Sequence, residues 1–326
     1  MRPSLFVLAV SLALPLEGRA AYPERPITLI VPFAAGGPTD VVARIVGEHM
    51  SRTLGQRVVV ENVVGAGGTI ASTKAAQATP DGYTLIMGHM GTHGAAPAVY
   101  PNLKYDPAKS FAPIGMAAGT PILIVAKKSF PAKDLKEFVA YLKKNSETLN
   151  EAHAGVGSVS FTTCAFFNSL VGAKPTRVVY RGTGPALNDL VSGQVDYMCD
   201  QIVNLVPQIQ AGTIRAYGVA LPQRSPALPD VPTTKEGGLP EFQVSAWNAI
   251  FAPKGTPPEV VKKLSDALTK ALADENTRKR LLDLGADLSD KAAQTPEGLA
   301  KLVDSEVARW KKVLASVSRD AAPPAK

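Results

Sequence analysis

The sequence predicts an α/β protein of two lobes with a ligand cleft between them. Short apolar runs typical of buried strands alternate with segments of helical periodicity along most of the chain. The last two predicted helices have no strands of their own, so they must pack on a sheet formed earlier in the chain. At 326 residues the chain has room for two units. We therefore expect a discontinuous first lobe, residues 22–124 plus 221–326, and an inserted second lobe, residues 125–220.

The N-terminus has the features of an export signal. Arg2 precedes an apolar run from Leu5 to Leu16. Gly18-Arg19-Ala20 then provides the small residues of a signal-peptide cleavage site. The alternative is a membrane anchor, but this run of 12 residues is shorter than the roughly 20 that a helix needs to span a bilayer. We expect residues 1–20 to be a signal peptide that is cleaved on export.

The first lobe begins with strand, helix and strand in regular alternation. Ile27 to Val31 is a continuous apolar run, typical of a strand buried on both faces. Gly68 to Ala78 is a small-residue helix that ends before the Pro80-Asp81-Gly82 turn. This rhythm predicts a mostly parallel sheet covered by helices on both faces. The helix after the first strand is marked by Val41, Val42, Ile45, Val46 and Met50, and the next two strands are residues 58–60 and 84–87.

The second lobe repeats the alternation, and an irregular stretch follows it. A Pro-rich segment from Leu221 to Pro240 predicts a connection across the surface. Two C-terminal helices then have clear start signals, with Thr256 as a cap before Pro257 and with Thr295-Pro296. The predicted strands of this lobe are residues 122–125, 177–180, 195–198 and 214–220, and the predicted helices are residues 135–142, 161–170, 185–191 and 206–209.

Composition excludes several classes of partner and cofactor. Lys and Arg number 35 against 28 acidic residues, which gives a net charge of +7, but the charges are dispersed and aromatic residues make up only 6%. Nucleic-acid binding needs a basic stripe with aromatic platforms, so we predict no nucleic-acid partner. Four His and two Cys leave little material for metal binding, and we predict no metal and no cofactor.

Three glycine-containing loops lie where a predicted strand leads into a helix. They are residues 32–40, 155–160 and 182–185. Small residues at a helix N-terminus expose backbone N–H groups, which bind an anion without a cationic side chain. The alternative is that the glycines only permit tight turns. Because such loops occur in both lobes, we favour a ligand site.

No dinucleotide or metal motif is complete. Gly65-Ala66-Gly67-Gly68 follows a strand, but Ile70 stands at the third glycine of a dinucleotide fingerprint. His89 and His93 have a spacing of four residues, yet they lie among glycines rather than on a helical pattern. We interpret both as ordinary hydrogen-bonding groups rather than as a metal pair.

A catalytic serine is the remaining enzyme alternative. Ser158 lacks the frame of a nucleophile elbow because Ser160 stands where the second glycine belongs. A hydrolase that uses Ser158 or Ser160 with His153 stays open at this point. We predict that the protein is not an enzyme.

The two cysteines, Cys164 and Cys199, both lie in the predicted second lobe. In an oxidising compartment, an even pair of cysteines within one lobe forms a disulfide more often than two free thiols. We therefore predict a Cys164–Cys199 disulfide. The alternative is two small buried thiols.

Seven sequence motifs occur in order along the chain and point to one protein family. They are Tyr22-Pro23-Glu24-Arg25-Pro26-Ile27, Pro32-Phe33-Ala34-Ala35-Gly36-Gly37, Glu61-Asn62 with Gly65-Ala66-Gly67-Gly68, Pro80-Asp81-Gly82-Tyr83-Thr84-Leu85, Tyr105-Asp106-Pro107, Tyr180-Arg181-Gly182-Thr183-Gly184-Pro185-Ala186 and Phe251-Ala252-Pro253-Lys254-Gly255-Thr256-Pro257. The sequence resembles the Bug-type (TctC-like) solute-binding receptors of tripartite tricarboxylate transporters.

The resemblance implies a periplasmic receptor of the two-lobe periplasmic-binding-protein (type II-like) fold. Such a receptor closes on a small mono- or dicarboxylate, aromatic acids included, and hands it to a membrane permease without catalysis. We expect a monomer. A sensor that presents the bound ligand to a signalling protein is an alternative that would use the same cleft.

By position, the resemblance places the ligand site at the three loops and at nearby strand ends. Arg181 either pairs with a carboxylate or faces solvent. Asp200 either accepts a hydrogen bond from a ligand amine or hydroxyl or caps the next helix. The expected ligand-binding residues are Phe33, Ala34, Ala35, Gly36, Pro38, Thr39, Asp40, Thr92, Ser158, Ser160, Arg181, Thr183, Gly184 and Asp200.

Overall fold

One continuous mixed sheet extends through both lobes of the protein. The computed structural model describes residues 22–316, so the predicted signal peptide at residues 1–20 lies outside the described residues. The strands in this part of the chain are β1 (Ile27–Val31), β2 (Val58–Asn62), β3 (Thr84–His89), β4 (Phe111–Lys127), β5 (Asn150–His153), β6 (Thr176–Val179), β7 (Tyr197–Gln201), β8 (Ile214–Val219) and β9 (Ser245–Pro253). They lie in the order β2-β1-β3-β9-β4-β7-β5-β6, and β8 pairs with β4.

Helices cover both faces of this sheet. They are α1 (Pro38–Leu54), α2 (Thr69–Ala76), α3 (Ala96–Val99), α4 (Leu135–Asn145), α5 (Val159–Val171), α6 (Thr183–Ser192), α7 (Ile202–Gln210), α8 (Pro258–Ala273), α9 (Glu275–Asp283) and α10 (Pro296–Ser316). Across residues 22–316, none of them combines the length and the apolar character that a membrane span requires.

The buried side chains divide into two apolar clusters. Within β1, Leu29 and Val31 belong to one cluster and Ile30 belongs to the other. Within β4, Leu123 and Ile124 divide in the same way. Alternate side chains of a strand point to opposite faces, so each face of the sheet has its own core. Burial on both faces explains why these strands are continuous apolar runs in the sequence.

The long strand β4 joins the two halves of the sheet. Its residues up to Pro121 pair with β9, and its residues from Ile122 pair with β7 and β8. Only residues 122–125 were predicted as a strand. The earlier part contains Pro113 and Gly115, which disfavour a regular strand, and its pairing register shifts between these two residues.

The predicted parallel pairing is confirmed for β1, β2 and β3, the strands on which it was based, but the sheet as a whole is mixed rather than mostly parallel. β1 pairs in parallel with β2 and β3, and β5 pairs in parallel with β6 and β7. The central strands β9 and β4 pair only antiparallel. The unpredicted strand β9 inserts between β3 and β4. The C-terminal part of the chain therefore does contribute a strand, contrary to expectation.

The C-terminal helices pack on the first half of the sheet, as predicted. Leu264 and Leu268 of α8 lie in one apolar cluster with Ile114 of β4, and Trp310 of α10 lies in the other cluster with Phe251 of β9. Both helices contact β4, and α8 also contacts α1, so the C-terminal helices are joined to elements that come earlier in the chain.

The predicted N-cap of α8 is wrong by one residue. The helix begins at Pro258 with Pro257 as its N-cap, and no side chain caps it. The Thr256 hydroxyl instead donates a hydrogen bond to the Pro253 carbonyl at 2.8 Å. The Thr256 side chain is thus used in the turn before the helix.

Cys164 on α5 and Cys199 on β7 are buried free thiols, so the predicted disulfide is wrong. Burial raises the pKa of both groups, which keeps them protonated and disfavours the thiolate that disulfide formation requires. The pair fills apolar space between α5 and the sheet.

Candidate functional site

A cavity lies among the N-termini of α1, α5 and α6, where loops of the two lobes meet. Its free volume in this arrangement is about 10 Å³, roughly the space of one water molecule, so the surrounding loops are packed closely around it. The predicted residues Phe33, Pro38, Thr39, Ser158, Ser160, Thr183 and Asp200 line it. Gly37, His89, Ala154, Val159 and Gln201 line it as well and were not predicted.

Three helix N-termini present backbone N–H groups to this cavity. No side chain caps α1, which begins at Pro38, or α6, which begins at Thr183. In α5 the Ser158 side chain accepts the N–H of Phe161, which leaves the first two N–H groups of the helix to another acceptor. A helix N-terminus carries roughly half a positive charge. The cavity therefore attracts anions, although no Lys or Arg of the described residues lines it.

Asp40 supports the first loop instead of lining the cavity. Its carboxylate accepts the Gly36 N–H at 3.0 Å, two guanidinium N–H groups of Arg44 at 2.9 Å and the Asn62 side-chain amide at 2.9 Å. Burial alone would raise the pKa of Asp40, but these hydrogen bonds together hold it below its usual value. Asn62 also donates to the Phe33 carbonyl at 2.9 Å. The network thus orients the loop that carries Phe33.

The hydroxyl groups of Ser158 and Ser160 form a pair in the cavity wall. Their oxygens are 3.2 Å apart, so one hydroxyl donates to the other. Each oxygen also accepts a backbone N–H, from Phe161 for Ser158 and from Ala154 for Ser160. The pair has two hydroxyl protons and uses one of them internally. The second proton is available to a ligand oxygen.

His153 does not serve these serines as a base. Its Nδ1 accepts the N–H of Gly155 at 3.1 Å, and its ring packs against the edge of Phe161. Burial lowers the pKa of His153 to about 4. Within residues 22–316 no hydrogen bond joins His153 to Ser158 or Ser160. His153 and these serines therefore do not form the nucleophile–base pair of the hydrolase alternative.

Asp200 places an unpartnered carboxyl group in the cavity wall. It is fully buried at the end of β7, and within the described part of the chain neither of its oxygens has a hydrogen-bond partner. Burial raises its pKa to about 7; the Gln201 backbone and the side chains of Thr183 and Asn204 lie near enough to oppose this shift, but none of them has the geometry of a hydrogen bond to the carboxyl group. A buried polar group without a partner is costly. A ligand that offers a hydrogen-bond donor would remove that cost.

The sequence reasoning missed His89 and Gln201, which are the last residues of β3 and β7. Gln201 accepts hydrogen bonds from the Thr120 hydroxyl at 2.7 Å and from the Asn248 amide at 2.8 Å, so it ties β7 to β4 and β9 beside the cavity. Ligands of α/β proteins bind beyond the carboxyl ends of strands. That rule, applied to every predicted strand end, would have pointed to both residues.

Half of the predicted ligand-binding residues lie outside the cavity wall. The Arg181 side chain is exposed, and its carbonyl accepts the Ala34 N–H at 3.2 Å. The Thr92 hydroxyl accepts the His89 N–H at 3.2 Å and so positions a residue that does line the cavity. The predicted residues outside the wall are Ala34, Ala35, Gly36, Asp40, Thr92, Arg181 and Gly184.

Direct contacts hold the two lobes together around the cavity. A Cβ atom at Gly184 would lie 2.6 Å from the Ala35 carbonyl oxygen, so these loops touch. On another side of the cleft, the Tyr100 hydroxyl donates to the Val156 carbonyl at 2.7 Å. The structure is therefore the closed arrangement of the lobes.

Comparison with known proteins gives a consistent result. Residues 42–318 match the family described as the tripartite tricarboxylate transporter family receptor, TctC. The chain is similar to MatC (Rpa3494) from Rhodopseudomonas palustris, solved with bound malate, at 52% identity and a TM-score of 0.87 over 90% of this chain and 100% of that one. It is similar to the periplasmic binding protein BugD at 44% identity and a TM-score of 0.88 over 91% and 98% of the two chains. It is similar to R. palustris Rpa4515, solved with adipate, at 33% identity and a TM-score of 0.86 over 91% and 98%.

Proposed function

Because the chain belongs to the family of tripartite tricarboxylate transporter receptors, we propose that it captures a small mono- or dicarboxylate in the periplasm and delivers it to the membrane permease of such a transporter. The observation that carries this proposal is the convergence of three helix N-termini, from both lobes, on one cavity. The relatives solved with malate and with adipate support a carboxylate as the ligand.

In this proposal, the backbone dipoles at the helix N-termini stabilise the negative charge of the ligand. Each helix N-terminus stabilises a nearby negative charge by about 0.3–1 kcal/mol at exposed sites and by up to about 2 kcal/mol where the geometry is partly buried. The free hydroxyl proton of the Ser158 and Ser160 pair adds one further donor. A ligand with a carboxylate and a hydroxyl group would also satisfy Asp200, as an acceptor of the hydroxyl proton.

The lobe boundaries form part of the same proposal. The first lobe consists of residues 22–124 plus 221–326, and the second consists of residues 125–220. The change of pairing partner within β4, from β9 before Ile122 to β7 and β8 after Pro121, supports a boundary near this point. Closure of the lobes brings the loops after β1, β5 and β6 around the ligand.

Binding is tested by calorimetry on the mature protein with malate, succinate, adipate and benzoate. We expect at least one carboxylate to bind, and its diamide or dimethyl ester to bind at least about tenfold more weakly, because helix N-termini favour the anion. A thermal-shift assay gives an independent measure, since a ligand at 100 times its Kd stabilises by about 2.7 kcal/mol. Binding of no carboxylate, or equal binding of the neutral analogues, would overturn the proposal.

Two further assays separate this proposal from its alternatives. A monomeric receptor without catalytic activity should not hydrolyse the dimethyl esters, whereas a hydrolase should, and Ser158→Ala or Ser160→Ala should then abolish turnover. Ligand-dependent co-purification with the permease supports transport. Co-purification with a signalling protein instead would favour the sensor alternative.

A further inference from the structure

The His89 side chain lies in the cavity wall, and the residues around it determine which ring nitrogen donates a hydrogen bond and which accepts one. It is the last residue of β3 and only 1% exposed, and the π-helical turn Met90–Ala95 follows it directly. Phe33, which also lines the cavity, stacks on the imidazole with ring centroids 4.9 Å apart and an interplanar angle of 21°. The stacking fixes the plane of the ring.

The turn that follows β3 fixes the position of the ring proton. Nδ1 of His89 accepts two backbone N–H groups, from Gly91 at 2.8 Å and from Thr92 at 3.2 Å. An amide N–H can only donate, so Nδ1 must carry its lone pair. Burial lowers the pKa of His89 to about 3, so the ring is neutral at physiological pH. A neutral imidazole without a proton on Nδ1 carries it on Nε2.

The described residues offer no hydrogen-bond acceptor to Nε2 of His89. Every hydrogen bond of the ring in residues 22–316 is made by Nδ1. Nε2 of His89 is not among the fully enclosed polar atoms of residues 22–316 that lack a partner, so it borders the cavity space rather than surrounding protein. Because the residue lines the cavity, the ligand is the partner that can supply the missing acceptor.

We propose that His89 is a specificity-determining residue of the site, which donates a hydrogen bond from Nε2–H to a carboxylate oxygen of the ligand and cannot accept one. This inference rests on the proposed function, because it assigns one donor within the same carboxylate site. Because the proton stays on Nε2, His89 also discriminates between the chemical groups that a ligand can place against it. A ligand that presents an ammonium group or another donor to His89 meets a second donor there and is rejected.

Two substitutions separate the roles of the two ring nitrogens. In His89→Asn the side-chain oxygen replaces Nδ1 as the acceptor for Gly91 and Thr92, while the Nε2 donor is lost. In His89→Gln the amide nitrogen reaches towards the position of Nε2, while the acceptor for the turn is lost. We expect His89→Asn to lower the melting temperature less than His89→Gln does, because it keeps the acceptor for the turn, and to weaken malate binding about tenfold to a hundredfold. His89→Gln should lower the melting temperature and retain more of the affinity.

NMR of the full chain labelled on histidine reads the proton position directly. The His89 signals are assigned by their loss in His89→Asn. We expect the Nε2–H form between pH 5.5 and 8, and a shift of the Nε2–H proton signal when malate is added. An Nδ1–H form, or titration of His89 within this range, would overturn the proposal.

The outcomes separate this inference from the proposed function. Malate affinity that is equal in wild type and His89→Asn would overturn the role of His89 and leave carboxylate binding intact. Wild-type protein that binds no carboxylate at all would overturn both.

Discussion

Gly184 lies at the closest approach between the third loop and the first. Its backbone needs no positive φ, so alanine is compatible with the first turn of α6, but the added Cβ would lie 2.6 Å from the Ala35 carbonyl oxygen. We predict that Gly184→Ala preserves the melting temperature and weakens malate binding by about tenfold to a hundredfold, because the overlap opposes lobe closure. Calorimetry measures the affinity, and circular dichroism measures the melting temperature.

Gly36 provides the matched control for this experiment. Its φ is +79°, and a Cβ at this position would meet no atom within 4 Å. Gly36→Ala should therefore lower the free energy of unfolding by about 1–2 kcal/mol through backbone strain and leave the affinity unchanged. Equal losses of affinity in Gly184→Ala and Gly36→Ala would contradict the idea that contact between the loops matters.

Asp200 gives the stability of the ligand-free protein a pH dependence of known sign. Burial raises its pKa from the usual 3.8 to about 7, so the folded protein holds a proton that the unfolded chain has lost between these values. Stability from this group is complete below about pH 4 and is lost as the pH rises through 7. In Asp200→Asn the side chain cannot ionise, so the free energy of unfolding does not fall through this group as the pH rises.

Denaturant unfolding of wild type and Asp200→Asn at pH 4.5 and pH 8 measures the effect. We expect the stability of the variant relative to wild type to increase by as much as about 3 kcal/mol between the two pH values. All other titrating groups cancel in this difference. A difference that does not change with pH would mean that Asp200 has an ordinary pKa.

At single positions, the sequence predicted the site best where backbone and small side chains form it. Ser158 and Thr183 follow from the rule that small residues begin helices at an anion site. Arg181 was predicted from its charge at the turn before α6, with a solvent-facing side chain as the alternative, and the side chain is exposed. His89 was missed because the strand-end rule was applied only where a strand leads into a helical pattern, and the π-helical turn after β3 has no such pattern.

Two helices of the second lobe allow capping and ligand binding to be measured separately. Ser158 caps α5 at the cavity, and Asp134 caps α4 away from it by accepting the Glu137 N–H at 2.8 Å. We predict that Ser158→Ala and Asp134→Ala each lower the free energy of unfolding by about 0.5–2 kcal/mol. Only Ser158→Ala should weaken malate binding, since it also removes a hydroxyl from the wall.

Chemical denaturation and calorimetry on the same two variants measure both quantities. The Asp134→Ala variant shows what the loss of a cap alone does to affinity. If it weakened malate binding as much as Ser158→Ala, the effect of Ser158 would be one of lobe stability rather than of contact with the ligand.

Helices and short parallel strands could be predicted from local patterns, and the central antiparallel strands could not. The helical periodicity that predicts α1 and the apolar run that predicts β1 each lie within one continuous stretch of sequence. β9 lies beside β3 and β4, which are more than a hundred residues away, and Asn248 interrupts its apolar run. Its pairing is decided by tertiary contacts that a window of sequence does not contain.

The closed arrangement of the lobes predicts a change of overall shape on binding. Without ligand, the convergent N–H groups and the Asp200 carboxyl favour an open, hydrated cleft, whereas a bound carboxylate favours contact between the lobes. Small-angle X-ray scattering should show a smaller radius of gyration when malate is added to wild type. Gly184→Ala should show a smaller decrease at saturating malate, and Gly36→Ala should match wild type. A radius that does not respond to malate in wild type would contradict this prediction.

The position of β9 also determines when the fold can be completed. A chain that emerges from the ribosome or a secretion channel N-terminus first leaves β3 and the first part of β4 with unpaired edges until Pro253 is available. Unpaired edges are sites of association with other chains. A chain truncated before Ser245 would therefore lack β9, which lies in the centre of the sheet between β3 and β4 rather than at its edge. The chain therefore cannot complete the centre of its sheet until about three quarters of it has emerged.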